Sequence, residues 1–202
     1  MNPLYDFIVY LPKRVKDTVN IGGQELYLDS KFNEFEHRIH YAEITGIPLK
    51  HNTGAKVGDL LFIHHHVMDY GGAQCIDPKE HLYKVGYSET GGFGTQCYAY
   101  KSKETGEIHM MTDWVFVEEV EQPKLKSDII ELIETEKPLN RFGKIWCDSA
   151  YLNERGVKKG DIVFFEKNAD YEMVVDGKKV WRMMFEHLIF VADENYLEVY
   201  NR

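Results

Sequence analysis

The sequence predicts an all-β protein built from two tandem copies of one small, partly open β-barrel, the first copy enlarged by long loops. Three observations carry this expectation. Short apolar runs rich in Val, Ile, Phe and Tyr recur between clusters of Gly, Asn, Asp and Pro. The segment Gly54 to Phe62 (GAKVGDLLF) is echoed 102 residues later by Gly156 to Phe164 (GVKKGDIVF). Helical periodicity is weak throughout.

In chain order, the strand-like runs are Phe7 to Leu11, Tyr41 to Ile44, Leu60 to Val67, Leu82 to Tyr87, Gln96 to Tyr100 and Val115 to Val120. Ile145 to Cys147, Ile162 to Phe165, Tyr171 to Val175, Val180 to Phe185 and Leu188 to Val191 follow. Leu125 to Glu136 is ambiguous: Leu125, Ile129, Leu132 and Ile133 are spaced for a helix, while its paired isoleucines also suit a strand. Further echoes extend the repeat. Ile44 precedes the first glycine turn much as Cys147 precedes the second. His109-Met110-Met111 with Val115-Phe116-Val117 is answered by Arg182-Met183-Met184 with Ile189-Phe190-Val191. These echoes place one module over residues 1–122 and a shorter one over 123–202. The first carries insertions near 13–35 and 69–106, where function is expected to sit.

The repeated Lys-x-Gly-Asp turn has a mechanical meaning. Glycine supplies a backbone conformation closed to other residues, and the aspartate accepts hydrogen bonds from local N–H groups. In the strand that follows, Ile162 and Phe164 point one way and Val163 and Phe165 the other. Leu60 to Ile63 behaves alike. Such strands must be covered on both faces, by a core within and by another layer or subunit outside.

Composition bounds the function. A chain of 202 residues, 44% hydrophobic and 28% charged, is long enough to bury a proper core. With 24 basic against 33 acidic residues, the formal charge is −9. A duplex or an anionic membrane needs a basic face to displace counterions, so neither nucleic acid nor membrane is expected as a partner. No apolar run reaches the ~18 residues of a membrane span. Met1 to Leu11 contains Asp6 and lacks the pattern of a signal peptide, so a cytoplasmic protein is expected. Cys75, Cys97 and Cys147 are odd in number and widely spaced. Reduced thiols are expected, with a Cys75–Cys97 bridge as the alternative.

The segments GVKKGDIVFF, Val174 to Lys179 and Leu188 to Val191 resemble the C-terminal half of the GroES-type co-chaperonin family. GAKVGDLLFI at 54–63 resembles the same element, and Phe7-Ile8-Val9-Tyr10 resembles that family's first strand. Gly22-Gly23 stands where the family's mobile loop carries a Gly-Gly, and Ala42-Glu43-Ile44 resembles the strand that follows. The resemblance implies two GroES-like modules in tandem and an oligomeric ring that caps an ATP-bound chaperonin and assists the folding of its substrates. It implies a flexible docking loop at Lys13 to Lys31. In the family an apolar tripeptide follows the Gly-Gly; here Gln24 and Glu25 follow, with Leu26 and Leu28 displaced by two. Either Ile21, Leu26 and Leu28 form the anchor while Gly22 and Gly23 supply flexibility, or this loop does not bind a chaperonin. In the second copy the matching stretch, Thr135 to Phe142, is too short for such a loop.

Rival constellations point elsewhere. His64 and His66 share a strand face, a chelating arrangement for a divalent metal, and with Gly58 they match the opening of a cupin motif. The motif's glutamate is missing, because Tyr70 and Gly71 occupy its places. Asp69, His37, His40 and His81 are the remaining donors at a distance. Gly91-Gly92-Phe93-Gly94 is followed by a strand-like run and reads as a hairpin turn rather than a phosphate cradle. The chain shows no nucleophile elbow, zincin or Walker motif. The expectation is therefore a non-enzyme without a cofactor, a homo-oligomeric co-chaperonin. The alternatives are an interaction module of a larger assembly, a virion among them, and a cupin-like metalloenzyme.

Overall fold

The structure is a computed structural model that describes residues 2–11, 18–27, 39–64, 67, 74–92, 94–120, 141–147 and 149–192. Two compact units divide the chain, Met1–Thr112 and Asp113–Arg202. Both are antiparallel β, so the all-β expectation holds. Among the described residues no helix is long and apolar enough to cross a membrane.

Unit 1 contains β1 (Phe7–Tyr10), β2 (Thr18–Ile21), β3 (Gln24–Tyr27), β4 (Tyr41–Gly46), β5 (Leu60–Ile63), β6 (Cys75–Asp77), β7 (Leu82–Val85), β8 (Cys97–Lys101) and β9 (Ile108–Met110). Unit 2 contains β10 (Trp114–Glu119), β11 (Phe142–Ile145), a short helix α1 (Ala150–Asn153), β12 (Ile162–Phe165), β13 (Tyr171–Val175), β14 (Lys178–Met184) and β15 (Leu188–Ala192). The first sheet runs β6-β7-β1-β4-β5-β8-β9 and the second β13-β14-β10-β11-β12-β15. With β1 matched to β10, β4 to β11, β5 to β12 and β6–β8 to β13–β15, the two orders coincide, and β9 extends the first sheet by one strand. Among the described residues neither sheet is closed by pairing of its outer strands.

The registers coincide too. Leu61 faces Tyr100 as Val163 faces Val191, and a bulge follows at Phe62/Ile63 and again at Phe164/Phe165. Val9 lies between Tyr83 and Ile44 as Val117 lies between Trp181 and Ile145. The glycine turn explains why its sequence recurs. Gly58 and Gly160 adopt φ of 93° and 94°, where side-chain-bearing residues are strained. The Gly58 N–H donates to Ile44 O at 2.8 Å and the Ile44 N–H to Asp59 O at 2.9 Å. Gly160, Ile145 and Asp161 repeat the set at 2.9 and 2.9 Å.

This geometry moves the repeat boundary from residue 122 to 112. Trp114–Glu119 does not close the first module; it opens the second, bonded to β14 and β11. Val115-Phe116-Val117 thus corresponds to β1 and not to β15, and Met183 corresponds to Val85 and not to Met110. The counterpart of Ile44 is Ile145 and not Cys147. The proposed 69–106 insertion largely dissolves, since β6, β7 and β8 each have a partner in unit 2. The second module's connection between its first two strands runs from 120 to 141, so it is not the short stretch starting at Thr135. Most of it, with Leu125 to Glu136, lies outside the described residues.

Alternating residues build the cores. Phe7, Val9, Ile44, Leu61, Ile63 and Val85 pack in unit 1. Val115, Val117, Ile145, Val163, Phe165 and Met183 take the same places in unit 2. The opposite face of unit 2 carries a ladder of Phe142, Phe164 and Phe190, with successive ring centroids 4.8 and 5.0 Å apart and the Arg141 guanidinium 4.3 Å from the Phe164 centroid. The doubly apolar strand is therefore only half-buried on its second face, where Ile162 and Phe164 stay partly exposed beside Phe142 and Phe190 of the neighbouring strands. Helix α1 was not foreseen. Ser149 caps it, accepting from the Leu152 N–H at 3.4 Å, and Leu152 plugs the core.

Candidate docking site

The segment expected to be a mobile loop contains a β-hairpin. β2 and β3 form a sheet of their own, bonded to neither large sheet, with Thr18 opposite Tyr27, Val19 opposite Leu26, Asn20 opposite Glu25 and Ile21 opposite Gln24. Gly22 and Gly23 join the two strands. They form the two-residue turn, with φ of 62° and 85°. A two-residue hairpin of type I′ needs positive φ at both central positions, which glycine meets without strain. A Cβ at either position would meet nothing within 4 Å, so backbone conformation alone selects glycine here.

The register gives the hairpin a chemical polarity. Ile21 lies opposite Gln24 and Leu26 opposite Val19, so Ile21 and Leu26 share one face. Both are exposed, at 61% and 47%. Two of the three anchor candidates are therefore brought together; Leu28 lies outside the described residues. The missed signal was VNI-GG-QEL: two short runs separated by a two-residue Gly-Gly pair, the local signature of a tight hairpin.

The histidines make a different picture. His64 directly follows β5, and its backbone N–H donates to Gln96 O at 2.8 Å. In unit 2 the Glu166 N–H donates to His187 O at 2.9 Å at the same place, so the module does not need a histidine there. The His64 ring meets Tyr98 edge-on at 6.3 Å. His66, His37 and Asp69 lie outside the described residues. His81 meets Tyr10 edge-on at 6.5 Å, and among the described residues no group of three His, Cys, Asp or Glu side chains is placed to hold a metal ion.

Two further clusters in unit 1 join segments distant in sequence. Asp59 is buried, and its carboxylate accepts from the Lys56 N–H at 2.8 Å and the Lys103 N–H at 2.9 Å, tying two loops together. Lys56 pairs with Glu104 at 2.8 Å, and that hydrogen bond raises the lysine's pKa. At another place His51 and Glu89 converge on Tyr87, whose phenol burial pushes up to about 12. Burial likewise drives the Cys97 thiol upward, which leaves an inert core residue rather than a nucleophile.

No family model matches the chain, and no curated protein matches it.

Proposed function

We propose that this chain is a docking protein of co-chaperonin type, without chemistry of its own, that binds an ATP-bound chaperonin as an oligomer and assists folding there. One observation carries the reading: a hairpin separate from both sheets, presenting Ile21 and Leu26 together on one exposed face. An apolar pair on a small two-stranded element suits a groove lined by apolar side chains. Each contact of this size is weak, and several copies acting together recover affinity through effective concentration. The preformed turn lowers the ordering cost that a flexible loop would incur on binding.

Deleting residues 18–28 tests this. Co-migration with an ATP-bound chaperonin is expected to disappear, with the sheets of both units intact by circular dichroism. Unchanged co-migration refutes the assignment. The ordered hairpin also favours a second reading, an interaction module of a larger assembly that has no chaperonin contact. That reading predicts no effect on chaperonin ATPase activity and loss of the deleted chain from the assembled particle.

A further inference from the structure

We infer that Gln24 selects the partner of the β2–β3 hairpin, and that this partner is an apolar groove carrying one hydrogen-bonding group opposite the Gln24 amide. The inference rests on the docking reading above and adds to it the chemistry of the groove.

Three side chains share the docking face. Ile21 and Gln24 stand directly opposite one another beside the turn, and Leu26 returns to the same face two residues further along β3. All three are exposed. Directly opposed side chains lie about 5 Å apart at Cβ, and diagonal neighbours about 7–8 Å. Gln24 therefore occupies the corner between the two apolar anchors. A surface close enough to remove both Ile21 and Leu26 from water covers that corner too. The tip next to it is bare, since Gly22 and Gly23 carry no side chain and nothing lies within 4 Å of where a Cβ would stand. A partner can thus approach Gln24 from the turn side unhindered. Asn20 holds the reverse register position and faces away from the anchors.

Covering a glutamine has a definite cost. Its amide carries two donors and an acceptor, and a polar group buried without a partner forfeits the hydrogen bonds it made to water. A groove that is apolar throughout would favour leucine at position 24. A groove with a polar group there reverses the preference: the amide is satisfied, and leucine would leave the groove's own polar atom unmet. The distinction decides specificity. Apolar pockets separate one aliphatic side chain from another only weakly, whereas a buried polar pair rejects an unbonded competitor strongly. Ile21 and Leu26 supply the attraction, and Gln24 supplies the choice of partner.

Co-migration of the full chain with an ATP-bound chaperonin, titrated over chain concentration, tests this. Gln24→Leu should raise the concentration for half-maximal co-migration about tenfold, as expected when one hydrogen bond is lost and its partner stays buried. Asn20→Leu, the same kind of change on the reverse face, should leave it unaltered. Ile21→Ser should weaken binding whatever the groove offers to Gln24. If Gln24→Leu binds as tightly as the wild type or more tightly while Ile21→Ser weakens binding, the inference is overturned and the docking reading stands. Equal losses in Gln24→Leu and Asn20→Leu overturn it as well. If the wild type does not co-migrate, or Ile21→Ser has no effect, the docking reading fails and the inference with it.

Discussion

Unit 1 and unit 2 share the order of six strands, the core register and the bulge in β5 and β12, yet they secure the same framework differently. Unit 2 relies on apolar contacts: Leu152 plugs its core, Tyr151 meets Phe185 edge-on, and the Phe142, Phe164 and Phe190 rings layer its outer face. Unit 1 replaces several of these with polar ties, including the Asp59 carboxylate between two loops and the His51–Glu89 pair. It also inserts the β2–β3 hairpin. The difference teaches which parts belong to the module and which were added. What recurs, such as the glycine turn and the core positions, is what folding needs. What occurs once, such as the hairpin and the buried two-loop carboxylate, is where a function of the first copy is to be sought.

The sharpest test sets Asp59 against Asp161. Each accepts from the backbone N–H of the lysine three residues before it, at 2.8 Å. Asp59 is buried and holds Lys103 as well; Asp161 is half-buried. Removing an ionised acceptor leaves its donors unmet, at roughly 1.5–3 kcal/mol for a hydrogen bond to a charged group. Asp59→Ala should destabilise unit 1 by about 3 kcal/mol and Asp161→Ala should destabilise unit 2 by about half as much. All three tryptophans, Trp114, Trp146 and Trp181, lie in unit 2. Fluorescence-detected urea unfolding therefore follows unit 2, and hydrogen exchange reads unit 1. Equal losses would mean that the second tie carries no energy.

A smaller effect is expected where the modules differ by one methyl group. Gly143 on β11 takes the place of Ala42 on β4. A Cβ at Gly143 would lie only 2.1 Å from Cγ1 of Val117 and 3.0 Å from Glu118 O. Valine is stiff and the backbone oxygen is fixed by the ladder, so neither yields cheaply. Gly143→Ala should lower unit 2 stability by about 2 kcal/mol, as overpacked cores do. Ala42→Gly should lower unit 1 by about 1 kcal/mol, mainly through backbone entropy. A neutral Gly143→Ala would show that the two sheets tolerate the same side chains at this position.

These positions also mark how far the sequence could be read. The glycine turn was legible because its function is local: one positive φ and one carboxylate bonded to an N–H three residues away leave a fixed pattern in nine residues. The all-β class was legible from the apolar runs. The phase of the repeat was not. Trp114–Glu119 is as rich in valine as any closing strand, and only its pairing with β14 and β11 assigns it to unit 2. Pairing between segments tens of residues apart leaves no local trace, so Met110 and Met183 looked equivalent although they occupy different strands. The docking candidates fared in between. Gly22-Gly23 is compatible in sequence with either a flexible loop or a tight turn, and only the pairing of Val19 with Leu26 and Ile21 with Gln24 places it in a hairpin. His51 and Glu89 are far apart in sequence and converge only through the sheet, so nothing could have paired them beforehand.

The finest discrimination between the units is available at high pH. Tyr87 and Phe185 fill matching places, and only Tyr87 carries a phenol. Burial, chiefly, and then the neighbouring Cys97 and Glu89 push its pKa from the ordinary 10.0 to about 12. On unfolding, the phenol returns to its ordinary value and releases its proton earlier. Between pH 10 and 12 the unfolded chain therefore binds fewer protons than the folded one, and the stability of unit 1 falls as pH rises through that window. Below pH 10 both states are protonated and the term vanishes. The side chain is partly exposed, so solvent screening keeps the loss small. Exchange protection of unit 1 should decline across this window in the wild type and decline less in Tyr87→Phe, which imitates unit 2. Ionisation of Tyr87 followed by its absorbance near the ordinary phenol value would show that the loop connections leave the ring open to water.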